Sequence, residues 1–379
     1  MRFAKTVAIV ALLTCALAAQ PQRARDLGVP FDGTPGMWNA ITDVAGVEVG
    51  HTTLIEGDSV RTGVTVVWPR GKASDDPTFG AWFAQNGNGE MTGTTWLEES
   101  GFLEGAVFIT NTHSVGVVRD ASIAWQVQHK RKLTMNTPGE DDFWSLPIVA
   151  ETWDGHLNDI NGFHVKPEHV FQAMDGAASG RVAEGNVGGG TGMICFGFKG
   201  GIGTSSRVAG AYRVAALVQC NCGVKRQLHI AGVPVGQELA ATTTASTAWP
   251  KEDTGSIIIV VATDAPLLPT QLKRLTHRAT MGLARLGATS GNGSGDIFIA
   301  FSTANANAAK PPGATANVAM VPNDNLNPIF EATVQATEEA IVNALVAARD
   351  MTGAKGHKVT ALPHEDLQRL LKKYNRLAN

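Results

Sequence analysis

The sequence predicts an α/β layered domain, and three stretches of the C-terminal third carry that prediction. Ser256–Thr263 (SIIIVVAT) and Asp296–Ser302 (DIFIAFS) are short, continuous apolar runs rich in β-branched residues, the pattern of strands buried on both faces. Between them, Pro269 opens a helix through Leu286, with Leu272, Leu275, Met281 and Leu283 near helical spacing. Beyond them, Pro328 opens a longer helix on which Phe330, Val334, Ile341, Leu345 and Ala348 form an apolar stripe. Strands that alternate with helices about a shared core stack into layers.

Taken from the N-terminus, the chain starts with Arg2 and Lys5, an apolar run from Val7 to Ala18, and small residues at Ala16 and Ala18. This is the pattern of a secretory signal peptide over residues 1–18, too short for a transmembrane helix, and it predicts a periplasmic or secreted product. Cys15 is a poor lipidation site because the larger Thr14 precedes it. Strands are expected at Val47–Leu54, Gly63–Trp68 and Ala106–Thr110, each apolar, β-branched and bounded by turn residues. Nine glycines crowd Gly185–Thr204, which reads as loops and close backbone approach around a site. A short helix over Glu365–Tyr374 closes the chain. No internal repeat or linker divides residues 19–379, which read as a single domain.

The composition narrows the function classes. Charged residues make up 17% of the chain, net charge is −3, and Lys and Arg are scattered. No basic stripe offers a nucleic-acid surface, and no later segment is apolar enough to span a bilayer. With Cys15 removed, Cys195, Cys220 and Cys222 remain, an odd number that excludes a full disulfide framework. Cys220-Asn221-Cys222 is too tight for an easy bridge and lacks zinc spacing, so buried free thiols are expected. The ten histidines are dispersed, and there is no HExxH or Walker motif. Neither metal nor cofactor is expected.

What remains is Thr254-Gly255-Ser256, directly ahead of a buried strand. From spacing alone, a strand-initial serine is a capping or surface residue. A functional reading follows from chemistry. Glycine at 255 would permit conformations other residues resist. The Ser256 hydroxyl could then attack the preceding carbonyl and free an N-terminal serine. An α-amine ordinarily titrates at about 7.7–8, so that of the freed serine serves as a general base without a histidine.

The stretches RARDLGVPFDG, ITDVAGVEVGHTT, NGNGEMTGT, ITNTHSVG, ETWDGHLNDING, FKGGIGTSSR, GSIIIVVATDAPLLPTQLKRL, GNGSGDIFIAFSTAN and NPIFEATVQATEEAIVNAL occur in order from Arg23 to about Ala348. Together they resemble the family of L-aminopeptidase/D-esterases and β-aminopeptidases, autoprocessed N-terminal-serine peptidases related to the ornithine acetyltransferase-like hydrolases. The resemblance implies an αββα sandwich like that of N-terminal-nucleophile hydrolases, with different connectivity. It implies autocleavage between Gly255 and Ser256 into a large chain, 19–255, and a small chain, 256–379, that stay associated. It further implies a homo-oligomer, typically a tetramer of heterodimers, and a small peptide or an amino-acid amide or ester as substrate.

The resemblance also implies site residues. Ser256 is the nucleophile. Ser294 and Asp296, from Ser294-Gly295-Asp296, orient its free amine, since an anion nearby raises an amine's pKa. Asn221 donates to the oxyanion, and Glu151 holds the substrate's ammonium, with Glu90 a second candidate acid. Trp153 stands where L-aminopeptidases of the family place a tyrosine, and an indole can only donate. Two other readings stay open at this level: acyl transfer to an amine, and a self-cleaved binding protein without catalysis.

Overall fold

The computed structural model describes residues 22–131, 143–242 and 253–378. The expected signal peptide, with Cys15, lies outside them. The strands are β1 (Glu48–Glu56), β2 (Val60–Trp68), β3 (Thr78–Ala84), β4 (Phe102–Leu103), β5 (Val107–Asn111), β6 (Ile148–Thr152), β7 (Ile194–Cys195), β8 (Phe198–Lys199), β9 (Gly201–Ala209), β10 (Tyr212–Asn221), β11 (Ser256–Thr263), β12 (Gly295–Ser302), β13 (Met351–Thr352) and β14 (Lys358–Val359). The α-helices are α1 (Thr94–Ser100), α2 (Val115–Gln128), α3 (Pro167–Asp175), α4 (Val235–Thr242), α5 (Pro269–Arg285), α6 (Asn327–Ala347) and α7 (His364–Lys373).

Two sheets organise these elements. One runs β1-β2-β5-β6 and the other β4-β3-β12-β11-β10-β9. Side-chain alternation on β11 explains why its sequence is apolar from Ile257 to Ala262. Ile258, Val260 and Ala262 point into a core shared with Val67, Ile109 and Ala150 of the first sheet. Ile257, Ile259 and Val261 point the other way, into a core completed by α5 and α6. A third core packs α2 and α3 against the outer face of the first sheet, around Val66, Phe108 and Val149. The order is helices, sheet, sheet, helices, the expected αββα sandwich. A strand between two cores buries every side chain, each aliphatic one contributing about 1.5–3 kcal/mol before entropy is set against it.

The expected strands and helices appear within a few residues of their predicted bounds. The glycine-rich stretch differs from its reading as loop, because residues 194–199 form the β7–β8 hairpin and Gly201–Thr204 begin β9. Glycine is needed there for close approach: a Cβ on Gly203 would lie 2.0 Å from the Ala340 carbonyl of α6. The cysteine reading is corrected. Cys195, at the end of β7, is disulfide-bonded to Cys220 near the end of β10, and Cys222 is the buried free thiol among the described residues. The hairpin carries Cys195 back onto β10, a proximity that chain spacing does not reveal.

The outer helix layer is fixed by one buried carboxylate. Glu339 of α6 accepts from Arg207 Nη2 of β9 at 2.6 Å and from Arg25 Nη2 of the N-terminal arm at 2.8 Å. It is fully buried, as is Arg207. Removing one partner of such a pair leaves an uncompensated charge. Glu339→Ala should therefore lower unfolding stability by about 3–5 kcal/mol, read as a shifted urea midpoint.

Candidate active site

Ser256 opens β11 and is held between two neighbours. It pairs with Asn221 of antiparallel β10 on one side and with Gly295 of parallel β12 on the other. The Gly295 N–H donates to Ser256 Oγ at 3.1 Å. The strand register places Ser294 and Asp296 on either side of that glycine, and the Ser294 hydroxyl donates to Asp296 Oδ1 at 2.6 Å. Asp296 is 1% exposed. Burial pushes its carboxyl up and Asp253 adds to the push, while the Ser290 and Ser294 hydroxyls counter it. Ser256 is 6% exposed, so its hydroxyl works at the edge of a low-dielectric interior.

Gly255 is fixed by contact rather than by an unusual dihedral, since it lies outside the left-handed region. A Cβ there would sit 2.0 Å from the Asn221 carbonyl oxygen, so no side chain fits. The Gly255 N–H donates to Asp253 Oδ1 at 3.3 Å, and the Gly223 N–H donates to the same oxygen at 2.9 Å. Asp253 thus ties the segment ahead of Ser256 to the turn after β10. No motif marked it.

Asn221 ends β10 with its amide oriented at both ends. The Ile194 N–H donates to Oδ1 at 2.8 Å, and Nδ2 donates to the Trp153 carbonyl at 3.0 Å. An amide nitrogen carries two hydrogens, so one remains for another acceptor. Trp153 therefore meets Asn221 through its backbone. The residue is 51% exposed and its ring folds over Gly155, where a Cβ would fall 2.6 Å from the indole.

Glu151 comes from the facing sheet, on β6, and is 3% exposed. Burial raises its pKa; hydrogen bonds from the Thr112 hydroxyl and from the Glu90 N–H, 3.0 Å to Oε1, lower it in part. Among the described groups acting on Glu151, His113 offsets its charge and Glu90 opposes it. A buried carboxylate so placed gains most from an arriving cation. Glu90 itself is exposed and serves through its backbone.

The NGNGE segment, residues 86–90, joins the two halves of the site. The Asn88 N–H donates to the Ser294 carbonyl at 3.2 Å, and Asn86 N–H donates to the Asp296 carbonyl at 3.3 Å. A Cβ on Gly89 would lie 3.1 Å from Gly295 Cα and 3.3 Å from Glu151 Oε1. Only a methyl-sized gap therefore separates the Glu151 carboxylate from the strand beside Ser256. The structure brings Ser256, Ser294, Asp296, Asn221 and Glu151 to this one place. Thr112, Asp253 and Gly89 join them without having been singled out, although the glycine-rich NGNGE spelling was a signal for Gly89.

The profile of peptidase family S58 matches residues 39–359. The chain belongs to this family. Within it, the chain is 55% identical over 402 residues to beta-peptidyl aminopeptidase BapA of Sphingosinicella microcystinivorans, covering 100% of this chain and 99% of that one. It is 46% identical to beta-peptidyl aminopeptidase BapA of Sphingosinicella xenopeptidilytica, over 97% of this chain and 95% of the relative. The L-aminopeptidase D-ala-esterase/amidase from Ochrobactrum anthropi, described as a prototype for the serine aminopeptidases and a variant of the Ntn hydrolase fold, superposes with a TM-score of 0.86. It shares 48% identity and covers 94% of this chain and 99% of its own. A Burkholderia sp. beta-aminopeptidase superposes at 0.84 with 47% identity, over 93% of this chain and 99% of that one. This S58 member is accordingly a hydrolase, an aminopeptidase on a variant Ntn-hydrolase fold.

The Gly89 contact gives a test of the site's tolerance. Gly89→Ala should lower kcat/KM on the order of tenfold, because small displacements of a positioned group cost rate steeply. The fold should persist, measured by an unchanged circular dichroism spectrum beside the kinetic loss.

Proposed function

We propose that this enzyme is made as an inactive precursor, cleaves itself between Gly255 and Ser256, and then uses the freed Ser256 to release N-terminal residues that carry a free amine, β-amino residues foremost. The observation that carries the reading is the position of Ser256, seated in register between Asn221 and Gly295 with the Ser294–Asp296 pair adjoining. The β preference is supported by the 55% identity to a beta-peptidyl aminopeptidase. Export rests on the signal-like residues 1–18.

In the precursor, Ser256 Oγ attacks the Gly255 carbonyl carbon, and the acyl group passes from the Ser256 nitrogen to its oxygen. Water hydrolyses the resulting ester, leaving a Gly255 carboxyl and a free Ser256 amine. In turnover, that amine accepts the hydroxyl proton as Oγ attacks the substrate carbonyl and returns it to the leaving amine, and water activated by the same amine then hydrolyses the acyl ester to free Ser256. The Ser294–Asp296 pair holds the amine and stabilises its charged form. The unused Asn221 amide hydrogen faces charge developing on the carbonyl oxygen. Glu151 receives the substrate ammonium, desolvated and fixed in register with the nucleophile.

Two tests follow. A denaturing gel should resolve two fragments, the smaller beginning at Ser256 by N-terminal sequencing, and Ser256→Ala should leave one uncleaved, inactive chain. An active single chain with no such fragment would overturn the reading.

Glu151→Gln should reduce kcat/KM for a β-homoalanyl anilide on the order of a hundredfold or more, while precursor cleavage is kept, since the precursor presents no free amine. In the parent, burial holds the Glu151 pKa above its ordinary 4.5, so the carboxylate is present above the shifted value and is lost as pH falls through it. The acid limb of kcat/KM should therefore lie above 4.5 and vanish in the variant. Equal hydrolysis of free and N-acetylated anilides would sink the assignment of Glu151.

A further inference from the structure

The groups that orient Asn221 are themselves joined by a covalent bond. The Ile194 N–H that grips Asn221 Oδ1 belongs to β7, and the next residue, Cys195, is bonded to Cys220, the residue just before Asn221. Ile194, Cys195, Cys220 and Asn221 thus form a small ring closed by one disulfide and one hydrogen bond. Phe196 N–H, donating to the Cys222 carbonyl at 2.7 Å, fastens the same hairpin on the other side of Asn221. Lys199 anchors the hairpin beneath. It is fully buried, pairs with Ile194, and its Nζ donates to the Met193 and Gly200 carbonyls at 2.8 Å each. Neither the disulfide nor this lysine has a part in the chemistry above.

We propose that the Cys195–Cys220 disulfide is a positioning device for Asn221, setting the angle of its amide and making the rate of acyl transfer depend on the redox state of the bond. The inference rests on the reading of Asn221 as the oxyanion donor. A β-strand's last residue is ordinarily free to fray, since nothing beyond it continues the ladder. Here the turn after β10 must also bend away toward Asp253, so the amide sits where the backbone changes direction. The disulfide removes that freedom by holding donor and acceptor strands at a Cα–Cα separation of 5.6 Å.

The third sulfur does not compete for the bond. Cys222 Sγ lies 3.9 Å from Cys220 Sγ, and all three sulfurs fall within 4.8 Å of one another. Exchange would require the Cys222 thiolate to attack Cys195 Sγ and expel Cys220, or to attack Cys220 Sγ and expel Cys195. Burial, then the charges of Asp296 and Asp253, hold the Cys222 thiol protonated, its pKa well above the ordinary value. The tie therefore stays on the residue before Asn221.

Reduction by dithiothreitol delivers two electrons and two protons to the Cys195 and Cys220 sulfurs and leaves the reagent as its cyclic disulfide. Oxidised glutathione reverses the change, taking up the same electrons and protons as two reduced thiols. The test measures kcat and KM of the mature enzyme in both states, and of Cys195→Ala/Cys220→Ala, Cys222→Ala and Asn221→Ala. Removing an oxyanion donor costs about 10²–10³ in kcat, and misdirecting one costs less. Reduction and the double variant should each lower kcat on the order of tenfold with KM unchanged, reoxidation should restore the parent, and Cys222→Ala should match it. In Asn221→Ala, reduction should cost nothing further, a non-additivity that a merely structural bond would not produce. Equal kcat in both redox states beside an impaired Asn221→Ala overturns the positioning role alone. An unimpaired Asn221→Ala overturns the oxyanion reading and this inference with it. Peptide mapping of the active enzyme should find Cys195 linked to Cys220; three free thiols there would also overturn the inference. The parent's two redox states need no substitution, so the test stands even where a variant fails to fold.

Discussion

The parallel pairing of β11 with β12 is the constraint from which the site follows. Ser256 aligns with Gly295 and Ile257 with Asp296, so one register fixes the serine, its backbone donor and the neighbouring acid together. A slip of one residue would turn Ser256 toward the opposite face and move every apolar side chain of β11 into the wrong core. The register is therefore enforced by burial on both faces, across two independent cores. Precision at the reacting atoms is inherited from the packing of isoleucines and valines several residues away.

The second sheet contributes through polar contacts that cross an otherwise apolar interface. Gln219 of β10 donates to the Thr110 carbonyl and to Thr152 Oγ1, both 2.9 Å away on the facing sheet. Gln219 stands two residues before Asn221 on its strand, and Thr152 directly follows Glu151 on β6. The bonds lock the sheets together beside Asn221 and Glu151. Directional hydrogen bonds across a buried interface specify an alignment that apolar contact alone leaves loose.

The sequence made the inner architecture legible where burial alone dictated composition. Strands β11 and β12 were readable because apolar residues fill both faces along Ile257–Ala262 and Ile297–Phe301. Helix α5 was readable from its proline start and spacing. Strand β9 was not, because Ser205, Ser206 and Arg207 are buried by partners and not by apolarity: the Ser205 hydroxyl donates to the Ala336 carbonyl at 2.6 Å, and Arg207 meets Glu339. The catalytic candidates came from family resemblance, since Ser256, Asn221 and Glu151 read individually as cap, turn and surface residues. Their burial, and the roles of Asp253 and Thr112, depend on strands that meet only after folding. The Cys195–Cys220 bond was hidden for the same reason.

The position of β11 and β12 within their sheet has a consequence for assembly. Both are interior strands, flanked by β10 and β3 from the part of the chain that precedes residue 256. A cut ahead of Ser256 would leave two polypeptides whose shared boundary is the core of one domain, including both strands and the α5–α6 layer. Separating them would mean dismantling the sheet, so dissociation and unfolding become one event. Folding would change its kinetic order. The intact chain closes this sheet at a rate independent of dilution, whereas the severed pair, once unfolded, must find each other as separate molecules. Such a scission would act as a ratchet: native structure would be reached once, in the unimolecular form, and thereafter persist by the height of its unfolding barrier.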